Sequence, residues 1–258
     1  MSTGKSSVPQ GSLCDYRIYR LSFREWIRCF LEAAAAEAAV VYVFYRSLAL
    51  FMLVLPLAAA WPVFRRDGLR KKRQEILRVQ FREGLMALSS ALEAGYSVEN
   101  AFGASVRDLT EMYGKDGMIT VEFSAIVDQM KMNRTPETLL MDFGNRSGIE
   151  EIRNFAEIFA VAKRSRGGIS SVISHFTRVI SGKIRVREEI LNMTAEKVFE
   201  QRIMNLIPFF IVIYVDVTSP GFFTVMYRTP TGRLVMTGCL ALYTAALLLS
   251  RHFLKIEV

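Results

Sequence analysis

Cysteine and histidine are scarce in this chain of 258 residues. The 3 cysteines, Cys14, Cys29 and Cys239, are far apart and form no CxxC pair. That spacing excludes a disulfide framework and a zinc cluster, and it reads as free thiols in a reducing or membrane setting. With only His175 and His252, no HExxH motif can be written, so no metal is expected. A phosphate-binding loop is also missing. Walker A places a glycine five residues before its Gly-Lys, but Leu109 stands there before Gly114-Lys115, and Thr177 before Gly182-Lys183. Gly4-Lys5 lies too near the start to have such a loop. The adjacent carboxylates Glu150-Glu151 and Glu188-Glu189 diverge by about 100° on a helix and cannot share a substrate. They read as solvated faces. No catalytic residue, metal or cofactor is therefore expected, and the chain reads as a non-enzyme.

What the chain has is apolarity and positive charge, kept apart. Hydrophobic residues make up 51% and charged residues 22%, with a formal net charge of +8 and a mean hydropathy of +0.23. Such values fit together only if the two classes occupy different stretches. Three regions are apolar enough for a bilayer, where a span needs roughly 20 residues: 33–64, 203–217 and 234–249. The N-terminal stretch carries Lys5, Arg17, Arg20, Arg24 and Arg28 without an apolar run after Met1, unlike a signal peptide, and is expected to be retained. The first apolar region is either a hairpin or a single span. Arg65, Arg66, Arg70, Lys71, Lys72 and Arg73 follow it and place that end in the cytoplasm. The basic residues before Ala33 should stay there too. An even number of crossings satisfies both, favouring a hairpin that turns at Tyr45-Arg46-Ser47, although the first stretch is short and contains Glu37. Arg46 would then snorkel to headgroups at the outer face. The second pair enters after Gln201-Arg202, turns at Thr218-Ser219-Pro220-Gly221, and returns over Leu234–Leu249 after an outer loop at about 218–233. Asp216 is an ionisable residue at membrane depth, a functional hypothesis by default; its place near the interface favours a solvated cap.

The division that follows is a basic segment 1–32, a membrane region 33–64, a cytoplasmic bundle 65–202, and a C-terminal membrane pair 203–254. Apolar residues in the bundle recur at three and four, not two. Ile76, Val79, Phe81, Leu85, Leu88, Ala91 and Leu92 approximate one helical face. Gly95 predicts a helix stop, and Ser97 caps a second helix with Val98, Ala101, Phe102, Ser105 and Leu109 inward. A third helix covers 118–132. Thr135-Pro136-Glu137 starts a fourth, which Gly148 ends. A fifth runs over 150–164 up to the break at Arg166-Gly167-Gly168. A long helix then starts near Ile169 and continues towards the membrane. The fold class is thus all-α: a polytopic membrane protein with one cytoplasmic helical bundle. The basic run 65–82 could meet anionic lipid or nucleic acid; its place beside a span favours topology and lipid contact.

The string from Phe81 through Glu93-Ala94-Gly95-Tyr96-Ser97-Val98-Glu99-Asn100 to Phe102 resembles the first helical hairpin of the type II secretion F domain family. The break Arg164-Ser165-Arg166-Gly167-Gly168, the basic helix with Arg185 and Arg187, the stretch Leu206-Ile207-Pro208-Phe209, and the turn Thr218-Ser219-Pro220-Gly221-Phe222 are similar as well. The likeness covers the chain from about residue 40 onward, in a single domain copy, as in Tad/Flp pilus members. It implies an inner-membrane platform for pilus assembly or protein secretion. Its expected partners are a hexameric secretion ATPase, a second platform protein of the same family, pilin subunits and membrane lipid, in a homo- or hetero-oligomer without nucleic acid. The central domain and C-terminus would be cytoplasmic. Glu93, Gly95, Asn100, Gly167 and Gly168 match family loop positions, although helix termination explains them too; with Glu99 and Arg166 they are the candidate partner-interface residues. The rival readings are a membrane subunit of a transporter and a membrane-anchored signalling protein.

Overall fold

The computed structural model describes residues 14–18, 23–164, 168–219 and 221–254. All of its regular elements are helices, with no strand among the described residues: α1 (Phe23–Phe44), α2 (Leu48–Glu93), α3 (Val98–Tyr113), α4 (Met118–Lys131), α5 (Pro136–Ser147), α6 (Glu150–Arg164), α7 (Ile169–Thr218), α8 (Thr224–Arg228) and α9 (Pro230–Leu254). The chain packs as two compact units. Described residues up to Arg20 and those of Arg66–Val186 form the first; those of Leu21–Arg65 and Arg187–Val258 form the second. The helices α2 and α7 each contribute to both. Residues 187–202, assigned to the bundle by their charge, fall in the second unit, because Ile184 is the last buried side chain of α7.

The first unit is an antiparallel bundle, and cross-helix contacts fix its order. In α2, Gln80 Oε1 accepts from the Ile119 N–H at 3.2 Å, and Gly84 faces Phe123, so α2 and α4 run the same way. The Thr120 hydroxyl donates to the Leu109 carbonyl at 3.2 Å, which sets α3 against α4. The Phe81 ring meets Phe143 of α5 at 6.1 Å and Phe155 of α6 at 5.6 Å, both edge-on. Phe176 of α7 closes on Phe155 at 5.3 Å. The core is rich in phenylalanine: Phe81, Phe102, Phe123, Phe143, Phe155 and Phe159 are all fully buried. Each contributes roughly 1.5–3 kcal/mol of apolar burial.

The inward face of α2 follows the sequence reading from Phe81 onward, with Ala91 and Leu92 packed on the core, but Leu77 takes the place expected for Ile76. Leu77, Phe81, Leu85 and Leu88 are buried, while Ile76 is exposed. A 4-4-3 spacing keeps those four on one stripe, and Ile76 lies about 100° away from Leu77. In α3 the expected Ala101, Phe102, Ser105 and Leu109 are buried, and Val98 is half-buried. The α5 start at Pro136 is as predicted, but Thr135 makes no side-chain cap bond. Its hydroxyl instead pairs with the Thr138 hydroxyl at 2.5 Å. Gly148 ends α5 in the left-handed region at φ 64°.

The second unit contains two helical hairpins. The α1 and α2 segments turn at Tyr45-Arg46-Ser47, and the Glu32–Arg65 ion pair at their other ends makes them antiparallel. The α7 and α9 segments are joined through α8, so the expected outer loop is largely helical. Thr229 caps α9: Pro230 occupies the first turn, and the Gly232 N–H donates to the Thr229 hydroxyl at 3.2 Å. Among the described residues two helices, α7 and α9, are long and apolar enough to cross a membrane.

Gly144 is where α5 and α6 come closest: a Cβ there would meet Arg153 Cα at 2.9 Å and Arg153 N at 3.3 Å. The obstruction is backbone and cannot rotate away. Gly144→Ala is therefore expected to destabilise by about 1–3 kcal/mol. Gly103→Ala, at an open helical position, is expected to stabilise by about 0.5–1 kcal/mol. Thermal unfolding of the full chain in detergent checks both; equal effects would refute the close approach.

Candidate functional site

The α2–α3 turn holds four of the sequence candidates. Glu93 is the last residue of α2 and accepts from the Ser89 hydroxyl at 3.3 Å. Gly95, at φ 88°, donates its N–H to the Leu92 carbonyl, and the Tyr96 N–H donates to the Ala91 carbonyl. These two bonds close the end of α2 in the manner of a Schellman motif. The Ser97 hydroxyl then accepts from the Asn100 N–H at 3.3 Å and starts α3, with Glu99 in the first turn favouring the helix dipole. Gly95 and the Asn100 backbone thus terminate and start helices, while Glu93, Gly95, Tyr96, Glu99 and Asn100 are all exposed. At the α6–α7 junction the Gly168 carbonyl accepts from the Ser171 N–H and hydroxyl, at 3.0 and 2.7 Å. Arg166 and Gly167 lie outside the described residues.

Helix alternation brings these turns together at one end of the first unit. The α2–α3, α4–α5 and α6–α7 junctions share the end opposite to residues 66 and 186, where the chain enters and leaves. Met132 and Asn133, at φ 62°, belong to the α4–α5 turn, and Met132 is 75% exposed. Lys163 of α6 pairs with Glu137 of α5 at 3.1 Å beside it. The resulting face carries both charges and the exposed side chains of Tyr96 and Met132. Among the described residues no group of three His, Cys, Asp or Glu could hold a metal, and His175 is exposed.

The opposite end contains a buried polar cluster that sequence reasoning missed. Glu122 is 1% exposed. Arg146 grips it with two bonds, Nη1 to Oε1 at 3.1 Å and Nη2 to Oε2 at 2.7 Å. The segment 14–18 closes over this pair. The Tyr16 N–H donates to the Arg146 carbonyl at 3.0 Å, and Arg146 Nη1 donates to the Cys14 carbonyl at 3.2 Å. The Tyr16 side chain is 3% exposed, and the Arg73 guanidinium lies 5.0 Å over its ring. Burial and the Glu122 charge push the Tyr16 phenol well up, so its hydroxyl stays a donor to Glu122. Burial would lower the Arg146 value, but Glu122 and Asp142 outweigh it and raise it. The signal was present in α4: Glu122 falls on the stripe of Ile119, Phe123 and Ile126, and a carboxylate on a core stripe requires a partner.

Glu151 forms a second junction, between Arg78 of α2 at 3.3 Å and Lys183 of α7 at 2.8 Å. Burial alone would raise its carboxyl. Lys183, its own backbone and Arg78 together hold it below the usual range.

In the second unit the turn Tyr45-Arg46-Ser47 is held by a polar clasp. Arg46, at φ 45°, pairs with Asp216 of α7 and lies over the rings of Tyr42 and Tyr227 at 5.3 and 5.6 Å. The Tyr45 hydroxyl meets the Thr237 hydroxyl at 3.0 Å. The Tyr227 hydroxyl donates to the Val43 carbonyl at 2.6 Å, one of the last α1 carbonyls, which lack a helical partner. Asp216 is therefore an ion-pair partner and not a solvated cap. Glu37 of α1 has a buried Oε1 without a hydrogen-bond partner.

No protein-family model, curated protein or solved structure matches this chain.

Two measurements test the polar junctions. Arg146→Met leaves Glu122 buried and unpaired and is expected to destabilise the full chain by about 3–5 kcal/mol, with Glu122→Gln added to it recovering part of the loss. Glu151 has a lower carboxyl value in the fold than in the unfolded chain, where it is about 4.3. Its stabilisation is complete above that value and is lost as pH falls through the folded value. Helix melting by circular dichroism should therefore weaken between about pH 5 and pH 3. Glu151→Gln should be less stable at neutral pH and lose less further stability over that interval.

Proposed function

We propose that the protein is a non-enzymatic inner-membrane platform, coupling a cytoplasmic hexameric ATPase to pilin assembly or protein secretion in a Tad-type or type II-like machine. The reading rests chiefly on where the family-like motifs fall. The hairpin motif spans the glycine-ended junction of α2 and α3, and the Gly168 break opens a helix of 50 residues, α7. That helix begins basic, becomes apolar, and ends at the turn after Thr218. In this reading the α1–α2 hairpin and the α7–α9 pair cross the bilayer, and the charges at 65–73 keep the bundle and the C-terminus cytoplasmic. The turn face with Glu93, Tyr96, Glu99 and Met132 is the docking surface for the ATPase. A sister platform protein and pilin subunits meet the membrane helices, and anionic lipid meets the basic run. The polytopic arrangement supplies what an assembly platform requires: a soluble surface for a motor and apolar helices for subunits held in the bilayer.

The alternative, a transporter subunit, draws on one observation. Glu37 is a carboxyl with a buried, unpartnered oxygen in an apolar helix, and such groups mark ion pathways.

A photoreactive residue at Glu99, introduced in native membranes, is expected to trap a hexameric ATPase or a second platform protein identifiable by mass spectrometry. The same residue at exposed His175, away from the turn face, should not. Capture of a nucleotide-binding transporter subunit, together with loss of solute uptake but not of pili in Glu37→Gln, would favour the alternative.

A further inference from the structure

A cleft of about 390 Å³ opens between α7 and α9 in the second unit. That size falls within the range of small-molecule sites, roughly 300–1,000 Å³. Two bonds tie its walls at different depths. At the mouth Gln201 Nε2 donates to the Ser250 hydroxyl at 2.6 Å. Deeper, the Tyr243 hydroxyl donates to the Asn205 carbonyl at 2.8 Å, in the turn preceding Pro208, whose ring removes a helical N–H. Between these rungs the lining is Met204, Ala246 and Leu247. At the mouth Lys197 and Glu200 also line the cleft, their charges 3.1 Å apart.

We propose that this cleft binds a phospholipid with a primary-amine zwitterionic headgroup, of the phosphatidylethanolamine class. This rests on the membrane reading above, which puts the mouth at the cytoplasmic interface, where the apolar stretch of α7 begins and that of α9 ends. The side chains of Lys197 and Glu200 are 67% and 56% exposed, so their mutual pair is worth only about 0–1 kcal/mol and opens readily. Opened, it presents one cation and one anion above an apolar channel. A lipid phosphate meets Lys197, the headgroup ammonium donates to Glu200, and an acyl chain lies along Met204 and Leu247. Charge complementarity selects among lipids. A purely anionic headgroup meets the Glu200 carboxylate without a cation to offer. A quaternary ammonium has no N–H to donate to Glu200, and Tyr243, the aromatic ring among the described lining residues, is engaged by the Asn205 carbonyl.

Native mass spectrometry of the full chain, with phosphatidylethanolamine, phosphatidylglycerol and phosphatidylcholine added in equal amounts, tests the assignment. The expected result is about tenfold preferential retention of the ethanolamine lipid, the discrimination that one charge-assisted hydrogen bond supplies. Glu200→Ala should shift the preference to phosphatidylglycerol, and Lys197→Ala should weaken retention of both. Leu247→Trp fills the channel and should abolish retention without loss of helix. Equal retention of the three lipids, or an ethanolamine preference that survives Leu247→Trp, would overturn the proposal. Alkaline extraction of native membranes separates the two levels. A chain that stays in the membrane without selecting the lipid refutes the cleft alone, whereas a chain released into solution refutes the membrane reading and the cleft with it.

Discussion

The first unit depends on Phe81. One ring joins three helices, meeting Phe143 and Phe155 edge-on, and Phe155 passes the contact to Phe159 and Phe176. Edge-to-face geometry sets positive ring edges against negative ring faces and so fixes angles as well as distances. The small residues follow from it. With the core built of large rings, Gly84 leaves room for the Phe123 ring, and Gly144 lets the backbone of α5 approach that of α6 at Arg153. The helix order, and with it the gathering of three turns at one end, follows from which ring meets which.

Around that core the charges divide the work by depth. The Glu122–Arg146 pair is buried, and burial of this kind adds little net stability because desolvation offsets attraction. Its effect is on register: a two-bond grip admits one alignment of α4 on α5, and the hydrogen bonds to Cys14 and Tyr16 carry the N-terminal segment onto the same spot. Glu151 acts alike for α2, α6 and α7. Exposed pairs such as Lys131–Asp128 impose no such constraint.

The second unit has no comparable core. Many of its apolar side chains point outward, among them Phe199, Leu206, Phe210, Val217 and Leu242. Polar contacts tie its helices near their ends, Glu32 with Arg65, Arg46 with Asp216, Tyr227 with Val43, and Gln201 with Ser250, and also at mid-helix, where Tyr243 meets Asn205. Outward apolar faces with polar end-ties suit an apolar surrounding, where packing between helices gains nothing from expelling water.

Helix limits were legible where single residues decide them. Gly95 and Gly148 end α2 and α5 because their positive φ favours a residue without Cβ, and Pro136 and Ser97 start helices through local chemistry that needs no distant partner. The segregation of charge from apolar sequence was legible for the same reason, as a property of neighbours along the chain. Other features required tertiary structure. The inward stripe of α2 includes Leu77 and not Ile76, because adjacent apolar residues compete for one face and the packing of Phe81 selects between them. Asp216 and Arg46 are separated by 170 positions, and composition cannot announce a pair so far apart. Sequence determined where this chain turns and which stretches are apolar, since both are set within a few residues. Which charges meet, and which turns share a face, were decided only when the helices packed, because those depend on contacts between residues far apart in the chain.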